Sequence, residues 1–161
     1  MLSLTKVSPR LALLALATLA TTACDPDAYG DIGASDQAES FYQGMAKDTE
    51  GGAFRVTLST REGGALVAQE PTGLIVRVGF HDPEDPSDPG QGIPEADLLL
   101  DAWTTQDSAR APDPVYIGDG RYLFEAFELE EGGVWHLDLA IAVGATLDES
   151  VQFNLLIPDA S

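Results

Sequence analysis

Residues 81–92, HDPEDPSDPGQG, set one imidazole and four carboxylates into a single short stretch. His81, Asp82, Glu84, Asp85 and Asp88 are hard or borderline metal donors, and Glu95 and Asp97 follow closely. Calcium takes roughly six to eight oxygen ligands in flexible geometry, so the stretch meets the supply side of a calcium site. Its spacing does not, because the D-x-[DN]-x-[DN]-G order is missing. Pro83, Pro86 and Pro89 restrict the backbone and favour an extended path that splays the carboxylates. A solvated, charge-repelled loop is therefore the first reading and a calcium site the second. One imidazole among carboxylates also suits zinc. The other histidine is His136, and nothing in the sequence brings the two together.

Catalytic patterns are missing. No G-x-S-x-G elbow, Walker loop, H-E-x-x-H helix or Cys/His pairing occurs. Paired carboxylates follow from acidity alone, with nothing to mark one as buried or tuned. The chain is read as non-enzymatic. It carries 27 acidic and 8 basic residues, a formal charge of −19. Such a surface repels nucleic acid and anionic lipid, which both need Lys and Arg to neutralise phosphates. It favours cations, basic partners and solubility.

The N-terminus reads as an address. In MLSLTKVSPRLALLALATLATTAC, Lys6 and Arg10 form a positive n-region, and Leu11 to Ala20 form an apolar stretch too short to span a bilayer. Thr21, Thr22 and Ala23 lead into Cys24, the one cysteine of the chain. The pattern resembles a bacterial lipoprotein signal, in which that Cys is lipidated and becomes the mature N-terminus. Leucine is usual where Thr21 stands, and a plain secretory signal cut after Ala23 is the alternative. One Cys forms no internal disulfide, and lipid attachment gives an exported thiol a purpose. The expectation is a signal peptide over 1–23 and a lipid on Cys24. That lipid would tether the protein to a membrane of the bacterial cell envelope, on its periplasmic face. Without the signal, six basic residues face the same 27 acidic ones. Residues 24–52 are rich in Asp, Gly, Ala and Ser and predict a flexible spacer, with a helical turn or so at most in AESFYQGMAK.

From residue 53 the apolar period becomes two. AFRVTLST sets Phe54, Val56 and Leu58 on one face, and TGLIVRVGFH sets Leu74, Val76, Val78 and Phe80 together. ADLLLDAW offers Leu98, Leu100 and Ala102 against Leu99, Asp101 and Trp103. RYLFEAFEL places Tyr122, Phe124 and Ala126 opposite Leu123, Glu125 and Phe127. VWHLDLAIAV points Trp135, Leu137, Leu139 and Ile141 inward and His136 and Asp138 outward. VQFNLLI aligns Val151, Phe153, Leu155 and Ile157, and PVYI at 114–117 is a seventh strand. Gly63-Gly64, the Pro/Asp loop, Asp119-Gly120 and Gly132-Gly133 supply the turns. The pattern predicts an all-β fold, an immunoglobulin-like antiparallel β-sandwich of about seven strands over 53–161.

The second half of that domain, PEADLLLDAW followed by PDPVYIGDGRYLFEAFELEEGGVWHLDLAIAV, resembles the YtkA-like domain, related to FixH. Gly118, Gly120, Tyr122, Gly133 and Trp135 carry most of the match. The resemblance implies the same sandwich. It also invites a copper role, since related domains often place Met and His after the third strand, and thioether and imidazole suit copper. Here that stretch is AWTTQDSARAPDP, with no Met, His or Cys. The soft ligands are therefore missing where the resemblance would place them. The leading expectation is a non-catalytic binding or accessory module with an envelope protein partner and no nucleic acid. Metal handling, by copper or calcium, is the alternative. Leu99, Trp103, Phe127 and Leu156 are the candidate outward apolar residues, and together they would mark a partner surface.

Overall fold

Buried and open positions alternate along several of the strands, and two sheets share one apolar interior. The computed structural model describes residues 38–160, apart from 86, 145 and 146, with residues 147 and 148 described by backbone alone. It contains ten strands: β1 Glu39–Ser40, β2 Met45–Asp48, β3 Phe54–Thr60, β4 Thr72–Phe80, β5 Asp97–Trp103, β6 Ser108–Arg110, β7 Val115–Gly118, β8 Arg121–Phe127, β9 Gly133–Val143 and β10 Leu147–Ile157. Sheet I has the order β2-β3-β4-β8-β7, and sheet II the order β1-β10-β9-β5-β6. All pairings are antiparallel except β1 with β10. Strands β3-β4-β8-β7 reproduce the A-B-E-D sheet of an immunoglobulin sandwich, and β10-β9-β5-β6 its G-F-C-C′ sheet. The all-β sandwich is thus as expected, with three short strands added to the seven.

The interior is filled from both sheets. Trp135, Phe54, Phe124, Phe153 and Met45 are fully buried. The Trp135 indole N–H donates to the Glu131 carbonyl at 2.9 Å, so its one polar atom is satisfied. β9 and β10 alternate as expected, burying Leu137, Leu139, Ile141, Val151, Phe153, Leu155 and Ile157.

Three expectations are corrected. First, the spacer was expected to reach residue 52, yet residues 39–52 belong to the sandwich. Met45 is buried, β2 pairs with β3, and the Glu50 N–H donates to the Ser150 carbonyl. Backbone pairing and one well-placed methionine do there what an apolar run does elsewhere. Second, Phe127 is buried and Ala126 exposed, the reverse of the expected faces. Ala126 has a left-handed backbone (φ 53°), and the pairing with β4 slips between Thr72 and Leu74. This β-bulge inserts one residue and flips the phase. Third, Phe80 is exposed at the end of β4, its ring 6.0 Å from that of Phe54.

Asp119 and Gly120 join β7 to β8 with φ of 55° and 67°. Two consecutive positive φ values define the tight I′ turn that Asp-Gly favours. Gly120 is also needed for space, because a Cβ there would lie 2.3 Å from the Val78 carbonyl oxygen.

Candidate functional site

The acidic loop folds back onto β4 instead of running free. Arg77 donates to the Pro89 and Gly90 carbonyls, the Phe80 N–H bonds the Gln91 carbonyl, and Gly79 bridges to Gly92. Each aspartate turns onto its own backbone. Asp82 accepts from the Glu84 N–H at 2.8 Å, and Asp88 from the Gly90 N–H at 2.9 Å. Asp85 accepts from the Ser87 N–H at 3.1 Å and from the Ser87 hydroxyl at 2.6 Å. Those bonds, the hydroxyl first, hold the Asp85 carboxyl below its ordinary pKa. The sequence signal is a threefold Asp-Pro-x repeat, DPE, DPS, DPG, in which each Asp forms an Asx turn. The proline spacing was legible, but the turn chemistry went unread. Among the described residues, no group of three or more His, Cys, Asp and Glu side chains converges as a metal would require.

His81 leaves that loop. Its Nδ1 is buried and lies 3.2 Å from the Asp48 carboxylate, without the alignment of a hydrogen bond. Asp48 is already bonded by Arg55 at 2.8 Å. Asp82, Glu84, Asp85, Asp88 and His81 therefore do not come together. His136 sits in the other sheet.

The outer face of sheet II is where the sequence candidates do meet. Cross-strand register sets Trp103 beside His136 and His136 beside Asn154. The Trp103 and His136 rings stack at 4.1 Å and 23°. His136 Nδ1 lies 2.7 Å from the Asn154 side-chain oxygen, which only accepts, so Nδ1 carries the proton. One register step away, Asp101 faces Asp138. Like charges so placed repel, and three neighbours offset this. Arg110 bonds Asp101 at 2.8 Å and is raised above its ordinary pKa by it, while the Trp103 indole and the Gln152 amide each donate to Asp138 at 2.6 Å. Leu99 and Leu156 are exposed on the same face, 42% and 49% accessible. Of the four outward apolar candidates, three therefore share this face and Phe127 lies in the core.

Of the resemblance-bearing residues, Gly118 ends β7, Gly120 lies in the β7–β8 turn, Gly133 opens β9, and Trp135 fills the core. The buried Tyr122 hydroxyl donates to the Ile93 carbonyl at 2.7 Å and accepts from the Ala96 N–H at 2.8 Å, pinning the loop that feeds β5. Burial raises its phenol above the ordinary pKa of 10.0.

Neither protein-family models, nor curated proteins, nor solved structures match this chain. The likeness to YtkA-like domains stands on the residues quoted above alone. Cys24 and the signal segment lie outside the described residues.

Proposed function

We propose that this protein is a non-catalytic binding module of the bacterial envelope, tethered through a lipid on Cys24 and engaging a protein partner with the outer face of sheet II. The observation that carries the reading is the Trp103–His136 stack, braced by Asp138 and Asn154 and flanked by exposed Leu99 and Leu156. A braced aromatic with apolar flanks loses little side-chain entropy on binding, the property of interface anchors.

The test is partner capture from envelope extracts by the full chain and by Trp103→Ala and Leu99→Asp variants of matched melting temperature. The reading expects one reproducible protein, reduced about tenfold or more by either change. Equal capture by all three removes this face from the account. Intact mass of the membrane-extracted protein tests the tether separately, since a diacylated Cys24 N-terminus is expected and an unmodified one contradicts it.

A further inference from the structure

Four strands form the sheet edges, and three of them carry charge. β1 has Glu39, β2 has Lys47 and Asp48, and β6 has Arg110. Charged edges block pairing with other chains. β7, Val-Tyr-Ile-Gly, has no charge and, among the described residues, pairs only with β8. Val115, Tyr116 and Ile117 are 55%, 44% and 40% accessible. Three consecutive exposed apolar residues on an open edge are the surface that extended peptides extend by adding a strand.

The cleft beside this edge selects the occupant. It is lined by Glu95, Asp97, Asp113, Pro114, Tyr116 and Tyr122. Among the described residues, no Lys or Arg lies within ion-pair distance of the three carboxylates. Arg110, which Asp113 also attracts, is held by Asp101. The Tyr116 ring, 5.2 Å from Tyr122, offers an aromatic face to a cation. A second copy of the chain fits poorly. Two β7 strands paired antiparallel about Tyr116 would bring Asp113 of each copy beside Asp119 of the other, and like charges across a ladder repel.

We infer that β7 is a docking edge for an extended basic segment of another protein. The segment would add as a strand, turning alternate Lys or Arg side chains into the Glu95–Asp97–Asp113 cleft and alternate apolar ones toward Val115. This inference shares with the proposed function only the premise that the domain binds. It uses a different surface, so either stands if the other fails.

The test is fluorescence anisotropy of the full chain with two synthetic probes, a peptide of alternating lysine and valine and the same peptide N-methylated at every backbone amide. Both carry the same charge, but the methylated one lacks every N–H needed to pair. The unmethylated peptide is expected to bind at least about tenfold tighter. Ile117→Lys, an exposed change that puts charge on the edge, is expected to lose about tenfold, and Asp97→Asn/Asp113→Asn a similar amount. Glu125→Gln, an exposed charge change elsewhere on sheet I, is expected to leave binding unchanged. Equal binding of both peptides would mean charge alone and overturns the inference. So does unchanged binding by Ile117→Lys. Sedimentation of the chain without peptide gives a third check, in which dimerisation abolished by Ile117→Lys would make a second copy the occupant and overturn it too.

Discussion

Tyr122 lies in the core, yet its phenol oxygen reaches out to both ends of the Ile93–Ala96 segment. Removing that oxygen leaves the buried Ala96 N–H without its acceptor. Tyr122→Phe is expected to cost about 1–3 kcal/mol in urea unfolding. Burial raises this phenol, so the folded state keeps the proton longer than the unfolded one. The contribution is present in full below pH 10 and lost as pH rises through the folded value, and Tyr122→Phe should flatten that alkaline decline. Asp85 has the opposite sign. Its carboxyl is lowered, so loop order is kept above the ordinary value of 3.8 and lost as pH falls through the folded one. The protection factor of the Ser87 amide should fall at acid pH in the parent and be low at every pH in Asp85→Ala, which has no acceptor. Addition of Ca²⁺ is expected to leave the melting temperature unmoved, and a clear rise would restore the calcium reading. Tyr122 was singled out by its place after Gly118 and Gly120, in the stretch that carries the resemblance. The Asp-Pro-x turns were not, because clustered acids read first as charge and only then as hydrogen-bond acceptors.

Strands declare themselves when side chains alternate, which is why β3, β9 and β10 were readable from composition. Two elements follow other physics. β8 carries a left-handed alanine, and no alternation rule anticipates the bulge it makes. A Cβ is disfavoured at such a φ, so Ala126→Gly is expected to stabilise by about 0.5–1 kcal/mol, read as a higher melting temperature. β2 is short, mixed and acidic-flanked, and its membership of the sandwich rests on backbone pairing and on Met45. Met45→Ala is expected to cost about 2–5 kcal/mol, whereas a true spacer residue would cost nothing measurable. The same physics leaves β7 readable as a strand but silent about its partner. Whether an edge is paired, covered or open is decided by topology, which a single strand does not carry.

At the scale of the whole molecule, two sheets bury one core and leave two unlike outer surfaces. The outer face of sheet II presents a stacked, hydrogen-bonded aromatic with apolar flanks, and the β7 edge presents exposed apolar residues beside carboxylates. The chain carries 27 acidic residues against 8 basic ones. Electrostatic attraction to a basic partner is long-ranged and screened by salt, whereas the aromatic face binds by contact. The central claim is that the outer face of sheet II meets a protein in the envelope. The direct measurement is photo-crosslinking in living cells, with p-benzoylphenylalanine replacing Leu99 or Leu156 on that face and Glu125, exposed on sheet I, as the control. The account predicts one discrete crosslinked protein from positions 99 and 156 and none from 125. The same products from all three positions, or none from any, would contradict it.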